Sequence, residues 1–191
     1  MLNLPNILTL LRIALIPLLV IVFYLPWQGH YLASGLIFAF AALTDLLDGY
    51  LARKLNQETP FGAFLDPVAD KLIVAVALII LLERNASLAL AIPVMVIISR
   101  EIVISALREW MAELGKRASV AVSNIGKVKT TLQMVSIIIL LAFDPDQFPV
   151  FGTLGYILLY FAALLTFWSM FVYLKIAVPE LLRPPSRGEE K

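Results

Sequence analysis

The sequence predicts an all-α integral membrane protein, a bundle of six transmembrane helices with both termini on the cytoplasmic side. Three observations carry that expectation. Of 191 residues, 61% are hydrophobic and only 15% charged, and the mean hydropathy of +0.90 is beyond what a soluble domain shows. Apolar runs close to the length of a bilayer span recur along the whole chain. Fourteen of the fifteen lysines and arginines fall on one side of those runs.

The runs cover roughly 8–25, 31–51, 69–82, 89–107, 128–143 and 152–174. The first follows Asn3-Leu4-Pro5-Asn6, a capping residue and a proline suited to a first helical turn. No basic residue precedes it and no small-residue cleavage site follows, so it reads as a retained helix and not a signal peptide. The third and fifth runs are short for a full span and are expected to extend at their polar ends. Pro17 and Pro93 shape the helices that hold them. Residues 1–178 read as one membrane domain and 179–191 as a polar tail.

An even number of spans places both termini together. Arg12, Arg53, Lys54, Lys71, Arg100, Arg108, Lys116, Arg117, Lys127, Lys129, Lys175, Arg183, Arg187 and Lys191 share that side, which by the positive-inside rule is the cytoplasm. The opposite loops, near 26–30, 83–87 and 144–149, hold only Arg84. The net charge of +1 is neutral on acidic partners, and no nucleic acid is expected. The absence of cysteine excludes a disulfide framework and any thiolate-bound metal.

Against this apolar background, DLLDGYLARKLNQETPFGAFLDPVAD (45–70) holds four aspartates. Asp45 and Asp48 are three apart at the end of the second run; Asp66 and Asp70 are four apart where the third begins, so each pair shares a helix face. Turn residues between them allow the two helices to run side by side and the carboxylates to meet near the cytoplasmic surface. Four like charges that close repel and call for a cation. Oxygen-only donors with no His or Cys nearby favour Mg²⁺ or Mn²⁺, and four carboxylates could hold two such ions, an arrangement suited to phosphoryl transfer. Gly49, Ala52 and Gly62 are small enough for a close approach of helix or ligand, and Arg53 offers a planar fork that matches a phosphate. Asp144 and Asp146 in DPDQFP read as plain loop, and the lone His30 lies on the far side.

The pattern Asp45-x2-Asp48-Gly49-x2-Ala52-Arg53-x8-Gly62-x3-Asp66-x3-Asp70 resembles the full signature of the CDP-alcohol phosphotransferase family, with eight specified residues over 26 positions. The resemblance implies a six-helix membrane enzyme with a cytoplasmic active site. It implies two divalent cations, Mg²⁺ or Mn²⁺, held by Asp45, Asp48, Asp66 and Asp70. It further implies that Asp70 deprotonates the acceptor alcohol and that Gly49, Ala52 and Arg53 border the CDP group, beside Gly62. A homodimer in the bacterial inner membrane is the family's habit.

The signature does not choose the acceptor. SREIVISALREW places Arg100 and Arg108 two helical turns apart, and NIGKVKTTLQM opens the fifth run with Lys127, Lys129 and Thr130. Such a cluster suits a phosphorylated alcohol; a free alcohol would not require it. The competing readings are an internal Arg100–Glu101 ion pair and positive-inside anchoring for the lysines. With the opening NLPNILTLLRI, these stretches resemble the branch of the family that joins CDP-diacylglycerol to glycerol 3-phosphate among membrane lipids. Within that branch Asn6, Thr9 and Arg12 are expected near the donor's nucleotide or phosphates. Their plainer readings are a helix cap, a backbone-bonded threonine and a snorkelling arginine. Inositol phosphate, serine or phosphatidylglycerol remain alternative acceptors. A divalent-cation transporter is a remote alternative, because it needs polar residues along a route that looks almost wholly apolar.

Overall fold

A computed structural model describes residues 4–55, 59–113 and 124–181; the side chains of 48–55 are among those outside the description. Among the described residues every regular element is helical: α1 (Leu4–Tyr24), α2 (His30–Leu55), α3 (Pro60–Arg84), α4 (Leu88–Glu113), α5 (Asn124–Ala142) and α6 (Pro149–Leu181). Three contain stretches long and apolar enough to cross a membrane, Asn6–Tyr24, Leu88–Met111 and Pro149–Lys175. The short third and fifth runs do extend at their polar ends, to Pro60 and to Asn124. At 33 residues α6 is about 50 Å long, and it continues past the expected start of the tail; residues 182–191 lie outside the description.

Short loops at 25–29, 85–87 and 143–148 make chain neighbours antiparallel. In space α1 packs on α2 and α3, α5 lies between α2 and α6, and α4 rests mainly on α6. Among the described residues the backbones of α4 and α5 do not come close, and the two helices meet through side chains such as Glu101 and Lys129. A main core runs through the bundle, with Leu19, Phe38, Leu78, Leu81, Ile97, Ile137, Leu141 and Leu159 fully enclosed, and a smaller cluster joins Ile104 and Leu107 of α4 to α6. The outer faces are also apolar: Ile21, Leu36, Phe64, Ile102, Leu164 and Phe171 are all exposed. Helices apolar on every side belong to a molecule whose surroundings are lipid.

In lipid, burying apolar surface does not drive helices together, so close backbone approach and satisfied polar groups must. Two contacts show how. Pro93 has no N–H, which leaves the Ala89 carbonyl without its helical donor; the Tyr160 hydroxyl of α6 donates to that carbonyl at 2.7 Å. Ser136 of α5 donates to the Gly155 carbonyl of α6, also at 2.7 Å.

At Gly35 α2 and α5 approach closely: a Cβ there would stand 2.5 Å from Ala142 Cβ and 2.9 Å from its Cα. Gly35→Val is therefore expected to destabilise the fold by about 1–3 kcal/mol, as overpacking does. Thermal unfolding in detergent micelles checks this. A second change, Ala142→Gly, should restore part of the loss, and failure to do so would show that the contact is not the cause.

At the end of the bundle opposite the aspartates, the only basic residue of the far loops ties segments together. Arg84 reaches Asp144 at 3.5 Å and lies over the Tyr31 ring at 4.4 Å, while Tyr24 donates to Glu83 at 2.8 Å. Asp144 also accepts from the Asp146 N–H at 3.2 Å, so that loop carboxylate organises its own turn. His30 sits at this same end, its Nδ1 2.8 Å from the Phe23 carbonyl.

Candidate active site

The chain enters α3 through Thr59, extended at φ −119° and ψ 148°, with Pro60 in the first turn. Its hydroxyl oxygen accepts from the Gly62 N–H at 3.0 Å, the usual way to satisfy a free donor of the first turn. That hydroxyl in turn donates to Asn6 Oδ1 of α1 at 3.0 Å. A Cβ on Gly62 would lie 2.5 Å from the same Asn6 oxygen, so a larger residue would displace the Asn6 side chain from this contact.

From this contact a slanting stripe of α1 side chains at three-residue steps faces the aspartates. Asn6 is joined to Thr59, the Thr9 hydroxyl donates to Asp66, and Arg12 engages both Asp45 and Asp70. The Arg12 Nη1 is 3.0 Å from Asp45 Oδ1 and 3.4 Å from Asp70 Oδ1. Arg12 is fully buried (0% exposed), whereas the two carboxylates are partly open to solvent. Of the plainer sequence readings for these residues, snorkelling fails for Arg12, which is fully buried, while the Thr9 hydroxyl reaches across helices to Asp66.

Asp45, Asp66 and Asp70 are thus brought to one end of the bundle by α2 and α3 and held by α1. Asp48, Gly49, Ala52 and Arg53 lie on the last turns of α2, with their side chains outside the described residues. No group of three potential metal ligands is assembled among the described residues. The donor chemistry nonetheless fits a hard divalent cation. The donors are carboxylate oxygens alone, and two of them already converge on one cationic nitrogen.

The basic residues form a second cluster at the same end. Arg100 of α4 and Lys129 of α5 are 8% and 4% exposed. Between them stands Glu101, whose Oε1 is 2.6 Å from Arg100 Nη1 and 3.9 Å from Lys129 Nζ. Arg100 Nε and Lys129 Nζ are buried without a hydrogen-bond partner among the described residues. Buried donors of this kind are costly unless something accepts from them. The Arg100–Glu101 ion pair foreseen as a competing reading therefore exists, but it leaves cationic donors unspent.

Arg108 is exposed and anchored to α6, donating to the Tyr173 hydroxyl at 2.7 Å with its guanidinium 5.3 Å from that ring's centre. Lys127 and Thr130 are exposed on other faces of α5, and the Thr130 hydroxyl turns back to the Gly126 carbonyl at 2.9 Å. Thr59 was missed by sequence reading, although Thr-Pro ahead of an apolar run is a recognisable helix start.

The description of the CDP-alcohol phosphatidyltransferase family matches residues 2–168, and that decides membership. The chain belongs to the CDP-alcohol phosphatidyltransferase family. It is 56% identical to a protein of Pectobacterium atrosepticum over 95% of this chain and 98% of that one. It is 54% identical to one of Pseudomonas fluorescens over 94% and 92%, and 55% identical to one of Salmonella choleraesuis over 94% and 97%. Each of these relatives is named CDP-diacylglycerol–glycerol-3-phosphate 3-phosphatidyltransferase. Within this family member, the stripe of α1 accounts for residues that the aspartate signature does not include.

Proposed function

We propose that this chain transfers the phosphatidyl group of CDP-diacylglycerol to sn-glycerol 3-phosphate, releasing phosphatidylglycerophosphate and CMP. The observation that carries the choice of acceptor is the pair of buried cations, Arg100 and Lys129, with donors left over among the described residues beside the aspartate end. A phosphate monoester supplies the acceptors those donors lack, and a neutral alcohol does not. The names borne by relatives of 54–56% identity support the same reading.

In the proposed reaction the acyl chains stay in lipid and the site faces the cytoplasm of a bacterial inner membrane, across a bundle of six spans with both termini inside. Asp70 accepts the proton of the acceptor's primary hydroxyl, whose oxygen forms a bond to the lipid-side phosphorus as the bond from that phosphorus to CMP breaks. Arg12, shared with Asp45, keeps the Asp70 carboxylate in place. Arg100 and Lys129 hold the acceptor's phosphate, with Arg108, Lys127 and Thr130 at the approach. Asn6, Thr9, Gly49, Ala52, Arg53 and Gly62 shape the donor side. Two divalent cations, Mg²⁺ or Mn²⁺, held by Asp45, Asp48, Asp66 and Asp70, would supply neutralisation of the diphosphate and of the departing CMP. A homodimer is the proposed assembly.

The test is an acceptor panel. Purified protein is given CDP-diacylglycerol, Mg²⁺ and one of glycerol 3-phosphate, inositol phosphate, serine or phosphatidylglycerol, and CMP release is followed. Glycerol 3-phosphate is expected to be the efficient acceptor; equal or faster release with any other would sink the assignment. Arg100→Ala and Lys129→Ala should each raise KM for glycerol 3-phosphate about 10- to 100-fold, the range set by one charge-assisted contact. An unchanged KM in both would place the phosphate elsewhere.

A further inference from the structure

We propose that Glu101 is a specificity-determining residue of the acceptor site, setting how tightly a phosphate monoester is held there; this rests on the acceptor reading above. The same oxygen, Oε1, faces Arg100 at 2.6 Å and Lys129 at 3.9 Å. Arg100 and Glu101 are on α4 and Lys129 is on α5, two helices whose backbones do not come close to each other among the described residues. The carboxylate therefore faces a buried cation of α5 as well as one of its own helix, and does more than accompany the arginine next to it. It is the least buried of the three, with 29% of its side chain exposed, so an anion arriving from water meets its charge.

The consequence follows from the reaction's chemistry. Acceptor and product carry the same phosphate monoester, so any contact that tightens the acceptor also delays the product. Two desolvated cations with no counter-charge would hold a dianion strongly, because Coulomb interactions grow as water is excluded. One carboxylate beside both lowers the positive charge that the phosphate meets. Glu101 thus trades affinity for release, and it disfavours weakly charged acceptors less than an uncompensated pair would.

Glu101→Gln separates charge from geometry, since the amide keeps an oxygen for Arg100 and removes the negative charge. Inorganic phosphate is the probe, as an inhibitor competing with glycerol 3-phosphate in the purified, lipid-supplied enzyme. The inhibition constant of phosphate and the KM for glycerol 3-phosphate are expected to fall about tenfold, which corresponds to ~1.4 kcal/mol, while kcat does not rise. Glu101→Asp, which keeps the charge, is expected to bind phosphate close to the wild-type level and serves if the Gln variant does not fold. Weaker or unchanged phosphate binding in Glu101→Gln, or tight binding in Glu101→Asp, overturns the proposal. If Arg100→Ala and Lys129→Ala also leave phosphate inhibition unmoved, the acceptor reading falls with it; if they impair it, only the role of Glu101 falls.

Discussion

Asp70→Asn is expected to lower kcat by about 10²- to 10⁴-fold, the contribution typical of a positioned general base, while the protein still folds and extracts as the wild type does. The amide has the shape of the carboxylate but cannot take the proton of the acceptor hydroxyl. Folding should survive because Arg12 keeps its 3.0 Å contact with Asp45 when the longer one, 3.4 Å to position 70, loses its negative charge but keeps an oxygen to accept from the guanidinium. The Asp70 side chain is also 40% exposed, so the neutral amide finds water. CMP release and thermal unfolding, measured on the same preparation, separate the two effects. Turnover at the wild-type rate would remove Asp70 from the role of base.

Arg12→Ala is expected to be the most damaging single change to the assembly of the site. The guanidinium is fully buried, and its loss leaves Asp45 and Asp70 facing each other with their shared cation gone. Breaking an ion pair with a buried partner costs about 3–5 kcal/mol. Here both carboxylates are partly solvated, which screens the repulsion and places the expected loss nearer 2–3 kcal/mol. Unfolding in micelles measures it. Arg12→Lys should recover part of the stability, because charge returns without the planar fork that reaches two partners. If Arg12→Ala unfolds like the wild type, the α1 stripe does not hold α2 and α3 together.

The signature aspartates were legible because their chemistry is local. Spacings of three and four residues put Asp45 with Asp48 and Asp66 with Asp70, and carboxylates in an apolar chain demand compensation whatever the fold. Gly62 was legible as a small residue, but not its reason. That reason is Asn6, 56 positions earlier, whose side chain occupies the space a Cβ would need. Likewise Asn6, Thr9 and Arg12 could be seen as a polar stripe and read toward the donor; that they bind Thr59, Asp66, Asp45 and Asp70 depends on how α1 is rotated against α2 and α3. Among the basic residues, spacing could not tell Lys129 from Lys127, although one is buried beside Glu101 and the other exposed.

By itself, then, the sequence determined that this is an apolar helical protein, where its charged end lies along the chain, and the residue types available for phosphoryl chemistry. These depend on composition, on helical periodicity and on the cost of charge in lipid, all of which act within a few residues. Only the tertiary structure decided which cation faces which carboxylate: Arg12 between Asp45 and Asp70, and Glu101 between Arg100 and Lys129. Apart from Arg100 and Glu101, which are neighbours in the chain, those pairings join residues on different helices. They depend on the rotation and depth at which small residues such as Gly35 and Gly62 let the helices meet, and no local pattern specifies that.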